Sequence, residues 1–142
     1  MGIEPFLVTS SVIAIIAQRL VRVLCPKCKE AYIPDDESLA NLGVDKRHLE
    51  NHVLYKKQGC AACMNTGYRG RTAIFEILVL DDPIKRLILK TSDSNQIADE
   101  AMKRGMTNLL ADGAQKVLAG ITTIEEVFRV TRIIKRETDL EA

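Results

Sequence analysis

Four cysteines fall in two pairs of equal spacing, Cys25-Pro-Lys-Cys28 and Cys60-Ala-Ala-Cys63, and this pattern restricts the fold more than any other feature. A two-residue gap lets one tight turn aim two thiolates at a single ion. Two such turns brought together complete a tetrahedral shell, with sulfur roughly 2.3 Å from a zinc ion. Residues 29–59 separate the pairs, a longer gap than in the commonest zinc ribbons, so an inserted helical segment must bridge them. Paired spacing of this kind points to metal binding. The competing readings are four buried thiols packed as small apolar groups and a dithiol redox site. Four thiolates leave no open position for water, so the expected zinc site is structural, not catalytic. It holds together a segment with few large apolar residues.

The rest of the composition describes an ordinary globular chain. The 142 residues suffice for one domain or two small subdomains, and the net charge is only +1. Near-neutral charge, 4% aromatic residues and no Trp weigh against a surface built to coat or stack on nucleic acid. The apolar run Val12–Ala17 is broken by Gln18 and Arg19 well short of membrane length, and no export signal is convincing. Without export, paired cysteines are expected to hold a metal in the cytosol instead of forming disulfides.

Periodicity and punctuation predict an α+β chain. Ser10 or Ser11 can cap a helix running through Val12–Ile16 to about Leu24, directly before the first cysteine pair. Tyr32–Ile33 suits a short strand. Pro34-Asp-Asp-Glu37 opens a short helix with Leu39 and Leu42 on its apolar side, ending at Gly43. A second helical stretch is expected around Asp45–Asn51, and Val53–Tyr55 reads as a strand returning to the second pair. Gly67-Tyr-Arg-Gly-Arg71 reads as a turn and Thr72–Leu80 as a strand. Asp82 is the expected N-cap of a helix with Pro83 in its first turn. Further helices are predicted at Ser94–Arg104, at Thr107–Ala119, and from Thr122 or Thr123 onward. Glu125 and Glu126 each stand three residues after a threonine and offer a capping box. The segment Ile97–Val130 has its own apolar periodicity and caps, so the C-terminal helices are expected to fold apart from the zinc loop. The polar ending Glu137–Ala142 is expected to fray.

The search for catalytic motifs comes back empty. His48-Leu-Glu-Asn-His52 has a chelating spacing, but the zinc-protease pattern needs Glu directly after the first His; a solvated helix surface is the simpler reading. No G-x-x-x-x-G-K-[ST] phosphate loop and no G-x-S-x-G is present. The chain by itself is expected not to be an enzyme.

Taken in order, the motifs resemble a known family. Gly2-Ile-Glu-Pro-Phe-Leu-Val-Thr-Ser-Ser11, Ala17-Gln-Arg-Leu-Val-Arg22 and Cys25-Pro-Lys-Cys28 come first. Cys60-x-x-Cys63, Gly67-Tyr-Arg-Gly-Arg71 and Glu76 follow. Asp112-Gly113, Lys116, Gly120-Ile-Thr-Thr-Ile-Glu-Glu126 and Arg129-Val-Thr131 complete the set. Together they cover nearly the whole chain and are similar to the C-terminal part of the type II secretion and type IV pilus assembly ATPases. One departure is the second pair, Cys-Ala-Ala-Cys, where Pro often follows the first cysteine.

That resemblance implies a fragment of a hexameric, RecA-like motor on the cytoplasmic side of the inner membrane, peripheral to it through partners. Its phosphate loop, and with it ATP and Mg²⁺, would lie upstream in the parent protein. Residues 1–19 would end the RecA-like core as an opening helix. Residues 20–71 would form the tetracysteine zinc subdomain, with Cys25, Cys28, Cys60 and Cys63 as ligands. Residues 72–142 would supply a strand at the edge of the RecA-like sheet and a helical C-terminal subdomain. Cut from that sheet, Thr72–Leu80 is expected to present an unpartnered edge. The implied partners are the rest of the parent ATPase, neighbouring subunits of the hexamer and the inner-membrane secretion or pilus platform; no nucleic acid is expected. Arg71 would support ATP hydrolysis in the ring or a subunit contact, against a structural bond to a carbonyl or to Glu76. Gln18, Arg19 and Arg22 would face a subunit interface; for the two arginines, a solvated helix face or an ordinary ion pair competes. The rival from another class is an independent zinc ribbon that binds nucleic acid.

Overall fold

A computed structural model of the chain describes residues 2–49 and 53–138. Among these residues, six α-helices and two small sheets make a mixed α+β fold. The elements are α1 (Pro5–Ser11), β1 (Ala14–Leu24), β2 (Glu30–Tyr32), α2 (Asp36–Leu42), β3 (Leu54–Lys56), β4 (Tyr68–Val79), α3 (Asp82–Lys90), α4 (Ser94–Lys103), α5 (Leu109–Leu118) and α6 (Ile124–Thr138). Short 3₁₀ turns lie at Lys46–His48 and Ala61–Cys63. The paired histidine reading cannot be followed further, because His52 lies outside the described residues. So do residues 139–142 of the polar ending, although α6 continues through Thr138.

The segment Val12–Leu24 is not the predicted helix. The helix comes earlier, at Pro5–Ser11, where Pro5 occupies the first turn, and the chain is extended from Ala14 to Leu24. Six β-branched residues (Val12, Ile13, Ile15, Ile16, Val21 and Val23) favour a pleated strand over a helix once a partner strand exists. That partner is β4, which pairs with β1 in a two-stranded sheet. Leu80 N donates to Ile13 O near one end and Cys25 N to Gly67 O near the other, so the strands are antiparallel. The strand predicted to lack a partner therefore has one within the chain. It also starts earlier than predicted: Tyr68–Arg71 are strand, and the turn is confined to the residues before them.

Two compact units divide the chain, 1–17 with 75–108, and 18–74 with 109–142. In the first, α1, α3 and α4 pack around Leu80, Ile84 and Ala101, with Val8, Val12, Ile88 and Ile97 partly buried against them. The cap of α3 is Asp81, one residue before the predicted Asp82: its carboxylate accepts from Ile84 N at 3.1 Å and pairs with Arg104. In the second unit, β2 and β3 form an antiparallel ladder with Ala31 opposite Tyr55. Asp35 caps α2 by accepting from Ser38 N, and Gly43 closes it.

The core of the second unit overturns the expectation that the C-terminal helices stand apart. Leu39, Leu42, Leu49 and Leu54, all from the insertion between the cysteine pairs, pack in one buried cluster with Ala114, Val117, Ile124 and Val127 of α5 and α6. The apolar stripes of α5 and α6 were correctly read as buried faces, but sequence periodicity does not say what covers them. Here the insertion does.

Close approach of α5 to α6 depends on Gly113. A Cβ at that position would lie 2.6 Å from Val127 Cγ1 and 3.0 Å from Cγ2. Val127 is fully buried and stiff at χ1, so it cannot turn aside. Ala normally stabilises a helix interior by about 1 kcal/mol relative to Gly, whereas overpacking costs roughly 1–3 kcal/mol. Gly113→Ala is therefore expected to lower stability by about 1 kcal/mol against its propensity. In urea unfolding, Gly113→Ala combined with Val127→Ala should cost less than the sum of the two single changes.

Candidate metal centre

The two cysteine turns meet in the second unit. Cys25 directly follows β1 and starts a tight turn in which Cys28 N and Lys29 N both donate to Cys25 O. Cys60 precedes the 3₁₀ turn that carries Cys63, and Met64 and Asn65 follow in the left-handed region, with φ of 53° and 59°. Gly67 also needs positive φ, 76°, and a Cβ there would lie 2.6 Å from Lys57 Cβ. Its N–H donates to Cys63 Sγ at 3.2 Å.

The sulfurs converge on one point. Cys25 Sγ lies 3.9 Å from Cys60 Sγ, Cys28 Sγ lies 3.8 Å from Cys63 Sγ, and Cys60 Sγ lies 3.8 Å from Cys63 Sγ. All four lie within 4.8 Å of one another, and none is in a disulfide. A tetrahedron with metal–sulfur bonds of about 2.3 Å has edges of about 3.8 Å. The separations thus fit a four-thiolate metal shell. They are far too long for S–S bonds of about 2.05 Å.

Backbone amides prepare the sulfurs to carry charge. Cys60 N and Gly67 N both donate to Cys63 Sγ at 3.2 Å, and Gly59 N donates to Cys28 Sγ at 3.3 Å. Burial pushes the Cys63 thiol up, but these amides and the neighbouring thiols bring it to about 6. Burial dominates at Cys28, whose thiol is pushed up to about 11 despite the Gly59 amide. A metal ligates the deprotonated form, so the amides on Cys63 favour binding.

The α5–α6 turn fastens this centre to the helices. Lys29 Nζ donates to Gly120 O at 2.9 Å and lies 4.3 Å from the Tyr55 ring centroid. Leu24 N donates to Ile121 O, Thr122 Oγ1 to Arg22 O, and the Tyr68 hydroxyl lies 2.9 Å from Thr123 Oγ1. Thr123 caps α6 by accepting from Glu126 N.

Glu126 makes a different use of its carboxylate from the expected capping box. Oε2 accepts from Arg22 N at 2.9 Å, Oε1 accepts from Arg22 Nε and Nη2 at 3.0 and 2.7 Å, and Arg129 Nη2 donates to Oε2 at 2.8 Å. The Glu126 side chain is only 2% exposed. Burial raises its pKa, yet the guanidiniums of Arg129 and Arg22 outweigh that and hold it at about 2. A partner 104 residues away in the chain left no sequence signal beyond the i, i+3 spacing of Glu126 and Arg129.

The predicted polar residues are distributed unequally around this centre. Gln18 and Arg19 are exposed on β1, with Arg19 Nη1 donating to Gln18 O. Arg22 is on a strand, not the predicted helix face, and its ion-pair reading is the one observed. Arg71 is exposed, and its side chain forms no hydrogen bond or ion pair among the described residues. Among the described residues it makes no bond to Glu76 or to a carbonyl.

Residues 1–129 match the family model described as "Type II/IV secretion system protein". The chain belongs to that family. It is 48% identical over 132 residues to the "Type II secretion system protein E" of Pseudomonas aeruginosa, covering 93% of this chain and 26% of that protein. It is 47% identical over 133 residues to the "Type II secretion system ATPase E" of Vibrio cholerae, with 93% and 26% covered. The "Type IV pilus assembly ATPase PilB" of Thermus thermophilus is 44% identical over 131 residues, with 92% of this chain and 15% of that protein covered. The chain thus spans about a quarter or less of the length of these curated relatives. Type II secretion and type IV pilus members match at similar identity, so the likeness does not separate the two machines. Among the described residues, no helix is long and apolar enough to cross a membrane.

Proposed function

We propose that this chain is the C-terminal, zinc-stabilised part of a hexameric cytoplasmic ATPase that powers type II secretion or type IV pilus assembly. The observation that carries the reading is the convergence of four thiols at tetrahedral separations in a chain whose family match runs through all of them. Cys25, Cys28, Cys60 and Cys63 would hold zinc, which supplies structural closure and no chemistry. ATP and Mg²⁺ would bind to upstream parts of the parent protein. The partners would be those parts, neighbouring subunits and an inner-membrane platform.

The first unit supports the fragment reading. Ile13, Ile15 and Ile16 of the β1 region and Phe75, Ile77 and Val79 of β4 are 40–81% exposed. An apolar patch of this kind on a two-stranded sheet suits strands covered by the rest of a RecA-like core. Residues 1–19 would then end that core, residues 20–71 form the zinc subdomain and residues 72–142 complete the strand and helices. The nucleic-acid ribbon gains no comparable support.

In this reading, Arg71 acts in the ring and Gln18, Arg19 and Arg22 stand near a subunit contact. Arg71 sits just after a metal-anchored turn, a rigid base from which to place a charge. In the full-length ATPase, Arg71→Ala is expected to lower steady-state turnover about tenfold or more, by analogy with arginines that stabilise phosphoryl transfer. Zinc content, hexamer assembly and ATP binding should stay unchanged. Lys should rescue poorly, because an ammonium lacks the planar fork. Normal turnover in assembled Arg71→Ala hexamers would sink the role assigned to Arg71.

A further inference from the structure

Arg22 and Arg71, unrelated in the sequence reading, line one cleft. It has a volume of about 460 Å³, and Thr66, Tyr68 and Gly70 complete its lining. Arg22 is fixed there. Its Nε and Nη2 are held by the Glu126 carboxylate, and its guanidinium carbon lies 4.2 Å from the Tyr68 ring centroid. Its Nη1 has no hydrogen-bond partner among the described residues, and the side chain is 46% exposed. Arg71 brings a second exposed guanidinium.

Positive charge is in excess around this cleft. Lys57 Nζ lies 5.7 Å from the Tyr68 ring centroid, and Arg129 shares the Glu126 carboxylate. Glu125 acts on the Tyr68 hydroxyl from a distance. Among these described residues, two cations that line the cleft (Arg22, Arg71) and two near Tyr68 or Glu126 (Lys57, Arg129) stand against two carboxylates, of which Glu126 is buried and already shared. Two arginine forks across one cleft suit a group with several acceptor oxygens and more than one negative charge. Arg22 over the Tyr68 ring takes up that aromatic face, so a nucleobase gains no stacking surface there.

We propose that the cleft between Arg22 and Arg71 binds a phosphoryl group. The proposal rests on the motor reading only for the origin of that group, which would be a nucleotide held elsewhere in the ring or free phosphate. The ion network holds Arg22 in place before the ligand arrives, so little side-chain entropy is lost on binding.

The test uses the metal-loaded chain at constant ionic strength, titrated with inorganic phosphate, pyrophosphate and Mg-free ATP. Resonances of the arginine Nε–H groups and of Tyr68 are followed by NMR. The expected result is saturable shifts at Arg22 and Arg71, with ATP no tighter than pyrophosphate. Pyrophosphate tighter than phosphate assigns the cleft to a nucleotide's phosphate chain; equal affinities assign it to free phosphate. Arg71→Gln should weaken binding at least tenfold, and Arg71→Lys less. Arg71 is exposed and has no side-chain bond to lose among the described residues, so these variants keep the fold, whereas Arg22→Gln also breaks the Glu126 pair. Shifts that never saturate, or an unchanged curve in Arg71→Gln, would overturn the proposal; so would ATP far tighter than pyrophosphate, which would mean that the base is read. Failure here with reduced ring turnover in Arg71→Ala removes the cleft and keeps the motor reading. Binding here with normal ring turnover keeps the cleft and removes Arg71 from the hydrolysis step.

Discussion

Replacing Cys60 by Ser is expected to unfold the whole second unit, α5 and α6 included, and to leave α3 and α4 protected. Protein purified under reducing conditions should carry about one zinc per chain, and the variant much less. Apparent binding energies of structural zinc in small peptides are roughly 10–16 kcal/mol. That is as large as the entire stability of a typical domain, roughly 5–15 kcal/mol. The loss spreads because Leu39, Leu42, Leu49 and Leu54 are in one buried cluster with Val117, Ile124 and Val127. Lys29 on Gly120 O and Leu24 N on Ile121 O tie the cysteine turn to the α5–α6 turn. The first unit has a separate core at Leu80, Ile84 and Ala101. Native-state hydrogen exchange is the measurement. If β2 and β3 lost protection while α5 and α6 kept theirs, the shared core would not be a cooperative unit. A metal-free chain that stayed fully folded would remove zinc from the account altogether.

Glu126→Gln should cost about 3 kcal/mol at neutral pH, the lower end for a broken buried ion pair. The lower end applies because Arg22 and Arg129 are about half exposed and can turn to water once the carboxylate is gone. The pH dependence follows from the sign of the shift. Glu126 is held at about 2, below an ordinary carboxyl near 4.5. Its contribution is therefore fully present above about pH 4.5 and is lost as pH falls toward 2. The span corresponds to on the order of 3 kcal/mol. Thiolates holding a metal would also take up protons in acid, so the quantity to read is the difference in unfolding free energy between wild type and Glu126→Gln. That difference should shrink toward zero through this window. A constant difference, or one below about 0.5 kcal/mol at pH 7, the size of an ordinary surface substitution, would mean that the carboxylate is not the anchor of the network.

The sequence by itself determined the convergence of the four thiols and most of the local elements. Cysteine pairs two residues apart need only a tight turn, which is local geometry. Gly43 and the threonine before α6 act within one helical turn, so their roles were legible without a fold. The family was legible too, because its motifs keep their order along the chain. Tertiary structure alone decided the rest. The stretch Ala14–Leu24 had enough apolar residues for a buried helix, and it became a strand because β4 offered an antiparallel partner about fifty residues away. Glu126 was read as a helix cap, since its near neighbours are all that a local pattern reports. Its carboxylate instead meets Arg22, a contact between residues 104 apart. The helices α5 and α6 had correct apolar faces, but only packing showed that the cysteine insertion covers them. Capping and turn chemistry are set by neighbours in sequence; strand partners, buried ion pairs and the far side of a core are set by which surfaces meet.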